Sequence, residues 1–318
     1  MYIIKHTKIF LTIAAIVMTV SVGIVAVVGL KPGIDFAGGA LTEVAYDVRP
    51  EKAALEVTLD AYAAAVDLGS YSLRATVDDT GRDGYILRTR ALSEDERIAV
   101  EARMLGEGEG ATLGRFTSIG PVIGAELKDK AVWAIGAVVL VIIMYVAFAF
   151  RSVSKPMGSW VYGGITIFAL VHDVLVPTAF MSVWGYFTGA EVDVLFITAL
   201  LAVLGYSVND TIVVFDRVRE NLLLQKENKK QDAFDDVVGL SVEQTITRSI
   251  NTSVTTLLAL GALFLLGGEV TQNFALVLMV GVLAGTYSSI CIANPMLTVA
   301  AKHYIAKAKA EQDKEASK

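Results

Sequence analysis

One cysteine, three histidines and few charges set the first limits on this chain. The lone cysteine, Cys291, excludes any intrachain disulfide. His6, His172 and His303 have no cysteine near them, so no metal-ligand spacing exists, and no metal or other cofactor is expected. Charged residues make up only 19% of the chain and hydrophobic residues 54%, which fits an integral membrane protein. The one long polar segment, residues 31–130, holds no histidine, no cysteine and no Gly-rich phosphate loop. Its 12 basic and 18 acidic residues form no basic stripe, which argues against nucleic acid.

Apolar runs are what the chain has in abundance. Six stand out, at Ile9–Leu30, Ala131–Phe150, Met157–Val183, Val194–Phe215, Ile250–Leu266 and Phe274–Ala300. Each is near or above the roughly 20 residues needed to cross the hydrocarbon core. The fifth is the shortest and most polar. The first is too long for a signal-peptide core, and Gly29-Leu30-Lys31-Pro32 is not a small-residue cleavage site, so it reads as a retained helix.

Lysine and arginine set the orientation. With the N-terminus inside, 15 of them fall on the cytoplasmic side: Lys5, Lys8, Arg151, Lys155, Arg217, Arg219, Lys226, Lys229, Lys230, Arg248, Lys302, Lys307, Lys309, Lys314 and Lys318. The short opposite loops, around Trp184–Asp193 and Gly267–Asn273, hold none. Both termini are therefore expected in the cytoplasm of a cell whose inner or plasma membrane carries the chain. The expected division is 1–30, 31–130, 131–301 with a cytoplasmic loop at 216–248, and a tail at 302–318.

Within the external segment, residues 40–124 read as a small α+β unit. Ala40–Val48 suggests a strand and Pro50–Val66 a helix opened by proline. Tyr71–Asp78 and Gly84–Ala91 look like strands joined by the turn Asp79-Thr80-Gly81-Arg82-Asp83. Ser93 and Glu96 fit a capping box, which starts a helix running to about Leu105. Thr112–Ile119 closes a β-α-β-β-α-β order, the ferredoxin-like split motif. A binding or mechanical role suits it better than catalysis; the bland reading is a solvated cap. Two glycine-bearing segments join it to the membrane, one with Gly33, Asp35, Gly38 and Gly39, the other with Gly120, Pro121 and Gly124. Either reads as a tight junction or as a working hinge.

The polar residues inside the apolar runs carry the functional signal. Asp210 lies in the fourth run, where a carboxylate costs roughly 2.5–3.5 kcal/mol on insertion scales. Tyr206, Asn209 and Asp210 share one helix face. His172 and Asp173 lie in the third run, but as neighbours they are not expected to face the same way. In the fifth, Arg248, Asn251, Thr252, Thr255 and Thr256 form a polar stripe expected to face protein or water. Arg248 has three options: to snorkel, to pair with Asp210, or to pair with Asp216. Gly281, Gly285 and Ser289 make a small-residue ridge for close helix packing. Asp232–Leu240 reads as a short amphipathic connector at the interface. An ion or proton pathway at Asp210 competes with plain interhelical hydrogen bonding.

Taken together these residues resemble the SecF family of the resistance-nodulation-division (RND) superfamily. The resemblance runs through Gly33–Gly39, Gly120-Pro121-Val122-Ile123-Gly124, His172-Asp173 and Tyr206-Ser207-Val208-Asn209-Asp210-Thr211. It continues in Phe215-Asp216-Arg217-Val218-Arg219-Glu220-Asn221 and Thr247-Arg248-Ser249-Ile250-Asn251-Thr252-Ser253. Such a resemblance implies a one-plus-five helix layout and a SecD partner. It further implies work beside the SecYEG channel on translocating preproteins, with YajC as a further candidate partner. It implies use of the proton-motive force through a membrane carboxylate at Asp210 with a basic partner at Arg248. Tyr206 and Asn209 would tune the site, with His172 and Asp173 as secondary members of the pathway. Alternatives are a non-catalytic scaffold for SecD and a half-size RND-type transporter. An intramembrane aspartyl protease using Asp173 and Asp210 lacks the glycines expected beside such an aspartate, so no enzyme is expected.

Overall fold

The computed structural model describes residues 2–78, 80–150, 157–228 and 232–316. Arg151, Lys155, Lys229, Lys230 and Lys318, counted for orientation, and Asp79 of the strand connection lie outside these described residues. Six helices are long and apolar enough to cross a membrane, and they carry a small antiparallel sheet between the first and the second. The chain is thus a multi-pass α-helical membrane protein with a ferredoxin-like α+β domain.

After a short helix α1 (Tyr2–Lys5), the first span is α2 (Thr7–Val28). A four-residue helix, α3 (Ile34–Ala37), follows and leads into the domain. Its elements are β1 (Gly39–Ala45), α4 (Lys52–Val66), β2 (Ser72–Val77), β3 (Asp83–Thr89), α5 (Glu94–Gly106) and β4 (Thr112–Ile119). The sheet order is β2-β3-β1-β4, all neighbours antiparallel. Alternation decides the faces: Val44, Leu73, Tyr85 and Leu87 point to α4 and α5 and join Leu55, Leu59, Val100 and Met104 in one core. Each such buried side chain contributes about 1.5–3 kcal/mol. The Ser93–Glu96 capping box is formed. Hydrogen bonds from Arg90, then Ser93, hold the Glu96 carboxyl down to about 2. That stabilisation is complete above its ordinary value of 4.5 and is lost as pH falls through the folded value.

Pro121, at the first helical position, opens α6 (Pro121–Ala149), which begins ten residues before the second apolar run. The remaining spans are α7 (Ser159–Thr188), α8 (Val194–Glu227), α9 (Phe234–Leu266) and a sixth made of α10 (Glu269–Ser288), a π turn (Ser289–Ala293) and α11 (Asn294–Ala316). Asp232–Leu240 is a correction: from Phe234 it belongs to α9 rather than to a separate connector helix. No proline breaks the run, and Val237, Val238, Ser241, Val242 and Thr245 are buried. That face packs on the extension of α8, where Asn221 Nδ2 donates to Ser241 Oγ at 2.8 Å.

Candidate functional site

The membrane carboxylates sit on α7 and α8, and α8 is the axis between them. Its residues Val203, Ser207 and Thr211 face α10 and the π turn. A Cβ on Gly281 would lie 2.1 Å from Val203 Cγ2, and one on Gly285 2.9 Å from Ser207 Cβ, so only glycine permits this approach. The small-residue ridge therefore packs on α8. The π turn widens the helix just beyond it: Ser289 Oγ lies 2.8 Å from Thr211 Oγ1, and Asn294 Nδ2 donates to Ser289 O at 2.7 Å.

Asp173 is fully buried on this side. His172 Nδ1 donates to its Oδ1 at 2.8 Å. Its Oδ2 accepts from Ser288 Oγ at 2.6 Å and from Ser207 Oγ. The neighbours His172 and Asp173, expected to face apart, are joined because the imidazole folds back onto the adjacent carboxylate. One carboxyl thus ties α7 to α8 and to the end of α10.

Asp210 lies on the other side of α8, against α9. Ser249 Oγ donates to its Oδ1 at 2.5 Å. Its Oδ2 is buried with no hydrogen-bond partner among the described residues. A buried oxygen left in that state calls for an explanation. One turn away, Tyr206 OH donates to Ser253 Oγ at 3.0 Å, and Ser253 Oγ lies 2.5 Å from Thr286 Oγ1 of α10. Asn209 points outward. Arg248 acts on Asp210 as a nearby charge, but among the described residues no ion pair joins it to Asp210 or Asp216. Asp216 pairs with Arg219 instead, at 2.6 Å.

The polar stripe of α9 is turned out of this chain. Asn251, Thr252 and Thr255 are exposed on this chain, and the inward face is Thr245, Ser249 and Ser253. The threonine hydroxyls bond to carbonyls of their own helix, Thr252 to Arg248 O at 2.9 Å and Thr255 to Asn251 O at 3.1 Å, so they need no protein neighbour. The inward series has a signal of its own, hydroxyls at i, i+4 and i+8, which the longer stripe beside it outweighs. Asp173 and Asp210 do not share a hydrogen bond, as a protease dyad requires.

The glycine segments meet where the sheet domain joins the spans. Gly38 and Gly39 take φ of +75° and +127°, and a Cβ on them would lie 2.9 Å from Pro121 Cα and 2.6 Å from Thr89 O. Gly124 packs on Gly38 and Phe36 just inside α6, which Gly120 precedes as N-cap. Gly33 N donates to Val192 O at 2.7 Å. Asp35 Oδ2 accepts from Val194 N at 2.9 Å, at the start of α8. Asp193 caps α8 by accepting from Phe196 N at 2.8 Å. Burial raises its carboxyl above the usual range, against that hydrogen bond, and the Asp35 charge adds to the rise. Among the described residues, no group of three His, Cys, Asp or Glu side chains is arranged to hold a metal ion.

A family model described as "Protein export membrane protein SecD/SecF, C-terminal" matches residues 100–303. The protein translocase subunit SecF of Thermobaculum terrenum is 38% identical over 273 residues, covering 85% of this chain and 84% of that one. SecF of Anaerolinea thermophila is 39% identical, covering 87% and 86%. A crystal structure of SecDF from Thermus thermophilus, a translocon-associated membrane protein, superposes with a TM-score of 0.78 at 31% identity. That match takes in 94% of this chain and 38% of the SecDF chain, so this chain spans well under half of SecDF. With family model, full-length relatives and architecture in agreement, the chain belongs to the SecF family.

Proposed function

We propose that this chain is an accessory subunit of the Sec export machinery. It pairs with SecD and draws on the proton-motive force to help preproteins through SecYEG, with YajC as a further partner. The observation that carries the reading is Asp210, a membrane-depth carboxyl with one oxygen bonded to Ser249 and the other buried and unpaired. Such a group has a vacant position for a proton, and gain or loss of that proton alters its hold on α9. Arg248 supplies the opposing charge, and Tyr206 and Asn209 shape the surroundings. His172 and Asp173 take a supporting place: their closed bonding suits a fixed frame against which the Asp210 side shifts. The junctions at Gly33–Gly39 and Gly120–Gly124 connect that shift to the external domain.

Pairing with SecD is supported by the Thermus thermophilus relative, a SecDF chain of which this sequence covers 37%. The exposed polar edge of Asn209, Arg248 and Asn251 is costly against lipid and suits a second membrane chain. The distribution of basic residues supports a reading with both termini in the cytoplasm and the sheet domain outside.

The test is a pulse-chase of preprotein processing in cells depleted of this chain, complemented with wild type or Asp210→Asn at matched membrane levels. Wild type restores export and Asp210→Asn does not. Equal rescue by both would leave a scaffold for SecD, and rescue by neither would remove the export role.

A further inference from the structure

The sheet has a second face, which its own helices do not cover. Leu41, Arg74, Ile86, Arg88, Arg115 and Thr117 share it by strand parity and register. This face lies over the outer ends of α7, α8 and α10 and roofs a cleft of about 200 Å³. Its charges are Arg74, Arg88 and Arg115 with one carboxylate, Glu43, 3.8 Å from Arg115, and the floor of the cleft carries Asp35, Glu191 and Asp193. Hydrogen bonds and an ion pair reach from this face to the loop beside the gap, whose lining also holds apolar side chains such as Leu41, Ile86, Met181 and Phe196. Arg88 Nη1 donates to Glu191 Oε1 at 2.5 Å and to Pro32 O at 3.1 Å. Arg74 Nη1 donates to Gly189 O at 2.5 Å. Both arginines therefore grip the same short loop between α7 and α8. That loop is also stitched to the segment between α2 and α3, with Val192 N donating to Lys31 O at 2.8 Å.

At the end of the loop, Asp193 caps α8, and Asp210 is on that helix. Among the described residues α8 runs from Val194 to Glu227 with no proline inside it. At 1.5 Å per residue, Asp210 stands about 25 Å below the cap, on a continuous rod. An axial shift or tilt of that rod moves the loop, and the loop is what the arginines hold. A contact held by a few hydrogen bonds and one ion pair beside a gap can transmit movement and also release.

We infer that the loop Gly189–Asp193 is the coupling joint between the Asp210 helix and the external domain, with Arg88 and Glu191 as its positioning pair. This rests on the ion-coupled export reading above. The pair touches no proton or preprotein; it sets where the domain stands when α8 moves.

The test uses the full chain, co-reconstituted with its SecD-like partner and the translocation channel, and compares preprotein translocation with and without an imposed proton-motive force. Arg88→Glu and Glu191→Arg each lose the force-stimulated part, while force-independent translocation, complex yield and thermal stability stay at wild-type values. The combined swap restores the stimulation. If Arg88→Glu does not accumulate, Arg88→Gln is read in the same way. Full stimulation in both single variants, or no recovery in the swap, overturns the joint. Asp210→Asn is run alongside: if it keeps the stimulation, the ion-coupled reading fails; if only it loses the stimulation, the joint alone fails.

Discussion

The two sides of α8 contrast sharply in how they treat a carboxylate. Toward α7 and α10, Asp173 is fully buried and has both oxygens bonded, to one imidazole and two serines. Toward α9, Asp210 has one oxygen bonded to a serine and the other buried without a partner among the described residues. The first side is closed by glycines at van der Waals limits, and the second opens to an exposed edge at Asn209. A carboxyl whose bonds are all made resists change, since every alternative state breaks several of them. A carboxyl with one oxygen unbonded has fewer bonds to lose when its surroundings change. On the function proposed above, the closed side of α8 is frame and the open side is moving part.

Substitutions on the closed side put the contrast at greatest risk. Asp173→Ala leaves Ser207, Ser288 and the buried His172 without their acceptor, and breaking such a buried pair costs about 3–5 kcal/mol. Thermal unfolding of the purified protein in detergent should show the largest loss for this variant, and an unchanged melting curve would abolish the distinction. Gly281→Val forces a side chain into Val203, and such overpacking costs about 1–3 kcal/mol. The same unfolding measurement should rank it second.

On the open side, smaller stability effects accompany larger functional ones. Ser249→Ala removes the sole described donor to Asp210, a bond to a charged group worth about 1.5–3 kcal/mol at most, and less if the carboxyl is neutral. It should lower preprotein processing in the pulse-chase more than Asp173→Asn does at equal membrane levels. Asp210→Asn keeps the shape and should shift stability by no more than about 1 kcal/mol while abolishing force-stimulated export. Should it melt as early as Asp173→Ala, the two carboxyls would be equivalent staples.

Much of this was open to the reader of the sequence. A 3.6-residue or two-residue period marks an element wherever it packs, so six spans and the β-α-β-β-α-β order were legible. Ser93 and Glu96 announce a cap through local chemistry alone, and it is formed. Asp210 drew notice because a carboxylate is costly among apolar residues. Its partner was not legible: Arg248 is the stronger charge, yet Ser249, one residue on, faces α8 and makes the bond. Serine is a weak sequence signal because its hydroxyl can bond its own helix, as Ser253 does to Ser249 O at 2.9 Å. The stripe of Asn251, Thr252 and Thr255 reveals a face, but not what lies across from it.

The linear chain by itself determined which segments enter a membrane, which order of strands and helices lies between the first two, and which carboxylates stand at depth. Those follow from local hydrophobicity, periodicity and the cost of an isolated charge. Tertiary structure alone decided that Asp173 is satisfied and Asp210 is not, that a π turn places Ser289 against Thr211, and that two arginines of the sheet hold the loop above α8. Hydrogen bonds between residues tens or a hundred positions apart depend on helix rotation and spacing, which the packing of glycines and side chains sets only when all the helices are in place.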